Sequence, residues 1–143
     1  MAQKFISLNV VYNKIPAMNA NALPEADRIV EEWGLEILHT AQRAIENPPK
    51  TGIVYERGSI SHQASAPGEA PADDTGNLRN NAKIKNVGMA KRDVVFYSDY
   101  AFHLEYGHWN HGVWTYARPF LRPAIQKNKG KFFKAMNELV KNV

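Results

Sequence analysis

The chain contains no cysteine, so neither a disulfide framework nor thiolate chemistry is open to it, and a reducing compartment such as the cytoplasm suits it. It also lacks any apolar run near the ~20 residues needed to cross a bilayer. Met1-Ala2-Gln3-Lys4-Phe5 leads into neither the apolar core nor the small-residue cleavage site of a secretory signal. No membrane partner is therefore expected. Gly52, Gly58, Gly68 and Gly76 stand isolated from one another, which leaves no glycine-rich phosphate cradle and no nucleophile elbow. With 143 residues and no internal repeat, the chain fits a single domain with a real but modest core.

What charge there is lies unevenly. The net +4 is mild, but between Pro24 and Asn47 six acids (Glu25, Asp27, Glu31, Glu32, Glu36, Glu46) face only Arg28 and Arg43. From Arg118 onward the balance reverses: Arg118, Arg122, Lys127, Lys129, Lys131, Lys134 and Lys141 stand against Glu138. The simplest reading is two solvated helix faces of opposite sign. A sharper one is mutual attraction of the two segments, within a subunit or between neighbours. DNA contact ranks third, because the basic segment lacks interleaved exposed aromatics.

Alternation over Phe5–Tyr12 predicts a strand or an extended arm. Pro24 in a first helical turn, followed by Ala26, Val30, Trp33, Ile37, Ala41 and Ala44 at steps of three and four, predicts a long amphipathic helix that Pro48-Pro49 stops. Gly34 inside it costs about 1 kcal/mol relative to Ala. Thr51–Tyr55 reads as a short strand leading into a long loop from Glu56 to Asp74. Pro67, Gly68 and Pro71 exclude a regular element in the second half of that loop. Asp73-Asp74-Thr75 are placed to cap a short helical turn over Gly76–Asn81. Ala82–Val87 and Asp93–Ser98 form a hairpin about Gly88–Arg92, and Tyr100–Gly107 a short helix with Ala101, Phe102 and Leu104 inward. His108–Tyr116 is a second loop. A final helix starts at Arg118-Pro119-Phe120, with Phe120 as a core anchor and Phe132 and Met136 on its apolar stripe. The expected fold is α+β: a small antiparallel sheet of about three to four strands packed by the long helix of the N-terminal half and the C-terminal helix, with a long Pro/Gly-rich loop. Residues 1–23 are an arm or strand, and residues 24–143 the single domain.

Candidate chemistry is sparse. His103, Glu105, His108 and His111 match neither the His-Glu-x-x-His nor a finger spacing, so no metal is assigned. Ser61, His62 and Asp73 or Asp74 would make a triad only in a rigid loop, and capping accounts for Asp73-Asp74 without magnesium. Arg118 and Arg122, near a helix start, suit an anion or the carboxylates of a neighbouring chain. No catalytic residue and no cofactor is assigned. By elimination an interaction protein outranks an enzyme.

Read together, Thr51-Gly52, Ser65-Ala66-Pro67-Gly68-Glu69-Ala70-Pro71, Asp74-Thr75-Gly76-Asn77-Leu78-Arg79, Tyr100-Ala101-Phe102-His103-Leu104-Glu105-Tyr106-Gly107 and Ala117-Arg118-Pro119-Phe120-Leu121-Arg122-Pro123-Ala124 form a series. In its order, from about Pro24 to Val140, it resembles the tail-component family of long-tailed double-stranded DNA bacteriophages, the head–tail joining or tail-completion proteins. The resemblance implies a non-enzymatic virion protein made in the host cytoplasm. It would form a homo-oligomeric ring of six copies at the virion neck, between the head connector or adaptor and the tail tube or tail terminator, with DNA passing through the lumen without sequence-specific contact. Met1–Leu23 precedes the usual helical start of that family, and is either an arm that contacts a neighbour or a local extra strand. Ser65, Pro67, Gly68, Glu69, Pro71, Asp74, Arg79, Glu105, Arg118 and Arg122 are the candidate subunit or partner interface. The Arg57–Asp73 loop is expected to add little to the subunit's own packing, to be mobile in the free subunit and to be ordered by a neighbour, so that shortening Ser59–Ala66 leaves the melting temperature unchanged. The alternative is a small nucleic-acid-binding or toxin-like phage protein that uses the basic C-terminal helix or the His-rich loop.

Overall fold

Along the chain the elements are β1 (Ile6–Val11), α1 (Leu23–Glu46), β2 (Val54–Arg57), β3 (Ile60–Gln63), α2 (Asn77–Asn80), β4 (Ala82–Gly88), β5 (Lys91–Phe96), α3 (Ala101–Tyr106), β6 (His108–Asn110), β7 (Val113–Thr115) and α4 (Leu121–Lys141). The computed structural model describes residues 6–11, 22–47, 50–72 and 76–141. The Pro48-Pro49 stop, the Asp73-Asp74-Thr75 cap and the rest of the arm before Ala22 lie outside them. The fold is α+β: α1 packs on a small antiparallel sheet, and α4, expected to pack on the sheet as well, packs chiefly on α1.

Pro24 sits in the first turn of α1, where its missing N–H has no intrahelical partner. The helix buries Ala26, Ile29, Val30, Gly34, Ile37, Leu38, Ala41 and Ile45, the spacing of a core-facing stripe, with Trp33 half-buried at its margin. Gly34 is there for closeness: a Cβ would lie 2.7 Å from Cδ1 of Ile84, so its cost in helix propensity goes with a sheet that packs tightly on α1. The start of α1 lies beside the end of α4, so the two helices pack antiparallel. The buried stripe of α4 is Leu121, Ala124, Asn128, Phe132 and Met136. Asn128 is a polar rung in this seam, its Nδ2 donating to Thr40 Oγ1 at 3.0 Å and to the Ala124 carbonyl at 2.9 Å. Phe120, 1% exposed, meets Phe96 edge to face with centroids 4.9 Å apart. The expected anchor is in the core.

The main sheet has the order β1-β5-β4, antiparallel throughout, with Phe96 opposite both Ile6 and Ala82. Residues Ile6–Val11 are thus a strand of the chain's own sheet. On the β4 edge Lys83 and Lys85 are exposed, and charged side chains of this kind oppose edge-to-edge pairing.

Several segments differ from the sequence reading. The strand placed at Thr51–Tyr55 lies at Val54–Arg57, and the first part of the supposed Glu56–Asp74 loop is a β2–β3 hairpin turning at Gly58-Ser59. The His108–Tyr116 loop is a β6–β7 hairpin whose two-residue turn, His111-Gly112, has φ of +48° and +80°, the left-handed geometry that matches strand twist. Both ribbons are largely exposed, so neither shows the one-sided alternation that marks a half-buried strand. The β4–β5 turn is tighter than expected: Lys91 and Arg92 are in the strand and Met89-Ala90 make the turn. α4 begins at Leu121, past Pro119. In α3, Ala101 is buried and Leu104 packs against the core as expected, but Phe102 is 43% exposed and the inward place is taken by the fully buried Glu105.

Candidate functional site

The first N–H groups of α4 have no intrahelical acceptor. Glu105 supplies one: its Oε2 accepts from Phe120 N at 2.9 Å and Leu121 N at 3.0 Å, and its Oε1 from Arg122 N at 2.9 Å and Arg122 Nε at 3.0 Å. Pro123, next along, has no N–H to satisfy. The Glu105 carboxylate, 0% exposed, therefore caps a helix from another element, and its charge is favourable at the helix N-terminus. Arg122 Nη2 also donates to the Glu105 carbonyl at 2.7 Å, while the guanidinium lies 4.8 Å from the Tyr106 ring centre.

The Pro/Gly-rich segment is joined to the same place. Arg118 N donates to the Leu104 carbonyl at 2.6 Å, Arg118 Nε to the Ser65 carbonyl at 3.2 Å, and Gly68 N to the Ala117 carbonyl at 2.9 Å. Glu69 folds the segment on itself, accepting from Ala66 N at 2.8 Å, Thr51 N at 3.2 Å and Thr51 Oγ1. These bonds, with the Thr51 hydroxyl first, hold its carboxyl below the ordinary range. Gly52 is fixed by close approach, since a Cβ would lie 2.6 Å from the Ser65 carbonyl oxygen. Gly107 ends α3 with φ of +78°, and a Cβ there would lie 2.8 Å from Thr115 O and from the Trp114 ring.

The structure thus brings Ser65, Gly68, Glu69, Glu105, Arg118 and Arg122 into one connected junction. Pro71 is buried beside it, lining with Tyr55, Leu78, Tyr100, Leu104 and Arg118 a cleft of about 270 Å³. Pro67 is exposed on the segment. Arg79 is engaged apart from these, in an ion pair of 2.9 Å with Glu46 of α1. Asp74 lies outside the described residues. The segment's second half, expected to contribute little to packing, is instead bonded to Ala117 and Arg118, the stretch that leads into α4, with Ser65 3% exposed. Among the described residues the cleft is lined by no carboxylate and no histidine, and no group of three or more metal-ligating side chains is gathered anywhere. The His103 and His108 rings lie tilted by 45° with centres 4.7 Å apart, and Nδ1 of His108 is buried without a hydrogen-bond partner.

Two contacts had no expectation behind them. Arg92, 3% exposed, grips Asp27 with two bonds of 2.9 Å, and Ala90 N donates to Asp27 Oδ1 at 2.8 Å. This explains how Ala90 holds a φ of +54°. The acids of α1 pair with Arg28 and Arg43 on their own helix and with Arg79 and Arg92, and the α1–α4 seam is built from apolar groups and the Asn128–Thr40 rung. The second contact, that rung, left a trace in the sequence, because Asn128 falls four residues from both Ala124 and Phe132 on the apolar stripe.

Outside the junction the two hairpins carry exposed apolar groups: Ile53 (82% exposed), Val54 and Ile60 about β2–β3, and Trp109 (70%), Val113 and Trp114 on β6–β7. Trp109 and Trp114 are register partners with ring centres 5.5 Å apart. No described helix is long and apolar enough to cross a membrane. Comparison of the chain with family models gives no match, and comparison with the curated proteins and with the solved structures gives none either.

Proposed function

We propose that this chain is a structural virion protein, the subunit of a ring at the head–tail junction of a long-tailed phage, set between the head connector and the tail. The observation that carries the reading is the junction itself. Thr51-Gly52, Ser65–Pro71, Tyr100–Gly107 and Ala117–Ala124 are far apart in sequence and are four of the five segments that carry the resemblance, and they bond directly to one another. Their mutual bonds set two exposed apolar hairpins on a bonded base, which suits an assembling subunit better than a solitary monomer. Glu105 and Arg122 would act on an interface by fixing the start of α4, and Pro67 and Gly68 would meet a partner directly.

The test is complementation. A phage lacking the gene, supplied with the wild-type chain, is expected to yield tailed infectious particles with a ring of this protein at the neck, of six copies in the reading implied by the resemblance. Particles formed normally without the chain, or a neck devoid of it, would reject the proposal.

A further inference from the structure

We propose that one solvent-facing stripe of α4, formed by Lys127, Lys131, Lys134 and Lys141, is a sequence-independent contact for the phosphate backbone of duplex DNA. The inference goes beyond the ring reading, because the surface would hold DNA whether the chain works singly or in a ring.

The charge of the chain is concentrated here. Against a formal net charge of +4 for all 143 residues, α4 holds Arg122 and five lysines with Glu138 as its only acid, so the remainder is close to neutral. Arg122 is committed to Glu105. The five lysines are exposed, and among the described residues none has an ion pair. The acids of α1 are in the opposite position. Glu25 and Glu32 sit on Arg28, Glu36 on Arg43, Glu46 on Arg79 and Asp27 and Glu31 on Arg92. Six carboxylates against four guanidiniums leave the α1 face of a second copy with only a small residual negative charge, a weaker counter-surface for the stripe than a polyanion.

Geometry selects the polyanion. At 3.6 residues per turn Lys127, Lys131, Lys134 and Lys141 fall within an arc of about 80°, roughly 120° from the buried rungs, and span about 21 Å. Glu138 lies in the same arc and trims the charge. A DNA strand presents a phosphate every ~3.4 Å along its axis, so about six phosphates face that span. The stripe holds no aromatic to stack on a base and no arginine fork to read one. Flexible ammonium groups of this sort contact the backbone without sequence choice.

The test measures binding of the full chain to a labelled 20-base-pair duplex of arbitrary sequence by fluorescence anisotropy across a salt series. Three to four phosphate contacts predict affinity falling on the order of a hundredfold between 50 and 200 mM salt. The variant Lys127→Gln/Lys131→Gln/Lys134→Gln/Lys141→Gln is expected to keep its melting temperature, to bind at least tenfold more weakly at low salt and to lose most of the salt slope. The control Lys85→Gln/Lys91→Gln, on β4 and β5, should bind as wild type does. Equal weakening in the control would trace binding to overall charge and overturn the proposal, as would wild-type binding by the α4 variant. Displacement of the duplex by polyglutamate at equal charge would overturn it in favour of an acidic protein partner. Sedimentation of the same samples reads the oligomeric state separately: a monomer with the expected slope sinks the ring reading and leaves this one standing, and a ring without the slope does the reverse.

Discussion

Glu105 is the residue on which most depends. A fully buried carboxylate is rarely tolerated unless it is paired and hydrogen-bonded, and here both oxygens are used, on three backbone N–H groups and one guanidinium. Glu105→Gln keeps the shape but turns an NH₂ toward N–H donors. It is expected to lower stability by about 2–3 kcal/mol, and Glu105→Ala, which orphans the helix start, by about 3–5 kcal/mol. Urea midpoints of the two variants check this, and a midpoint equal to wild type in Glu105→Gln would mean that the cap contributes nothing. Two glycines make an opposed pair at the same scale. Gly130, in the middle of α4, has open space where a Cβ would go, so Gly130→Ala should stabilise by up to about 1 kcal/mol. Gly52→Ala should instead destabilise, because its new methyl group would meet the backbone of Ala64 and Ser65 at 2.6–2.8 Å. Thermal melts of the two variants should move in opposite directions.

Between elements, the contact that ties α1 to the β4–β5 turn is the Asp27–Arg92 pair, and it has a pH signature. The Arg92 guanidinium, and after it the Ala90 N–H, holds the Asp27 carboxyl below its ordinary value of 3.8. Folding therefore favours the ionised form. The stabilisation is fully present above the ordinary aspartate value and is lost as pH falls through the lower folded-state value. Asp27→Asn should lower the urea midpoint at neutral pH, and its gap from wild type should close as pH drops below 3.8; a gap independent of pH would show that charge is not what the pair supplies. Contacts of this kind explain what the sequence could and could not disclose. The two long helices were legible because every residue of a core-facing stripe reports the same 3.6-residue period, as Ala26, Val30, Ile37 and Ala41 do. The β2–β3 and β6–β7 hairpins were not, since ribbons exposed on both faces have no alternation to read. Asp27–Arg92 and the cap by Glu105 depend on the register of elements 65 and 15 residues apart, which no local pattern encodes. The five resemblance segments were legible as words, but not the joint use of four of them: Ser65, expected in a free loop, is bonded to Arg118. Shortening Ser59–Ala66 would consequently cut into the junction and lower the melting temperature, and changes confined to the hairpin tip are the cleaner probe.

Taken as a whole molecule, the subunit has one core, formed where α1, α4 and the main sheet meet, and the two hairpins project apolar groups that this core does not use. An isolated two-stranded ribbon is marginally stable in water, and in the proposed ring the exposed apolar groups clustered on two such ribbons are the surfaces a neighbour would cover. Because the two patches differ, a contact between β2–β3 of one copy and β6–β7 of the next would be heterologous, and heterologous contacts close into rings when the rotation permits. This gives a prediction that separates folding from assembly. Ile60→Ser with Trp109→Ser alters groups 60% and 70% exposed, so the double variant should melt within about 0.5 kcal/mol of wild type, as surface changes do. On the proposed ring reading, its mass in solution should fall from that of a ring to that of one chain. Light scattering read beside the melting curve decides the matter. An assembled variant would show that the ribbons are not the contact, and a variant that melts early would show that they belong to the core; a wild-type chain that stays a monomer as its concentration is raised would reject the proposed ring.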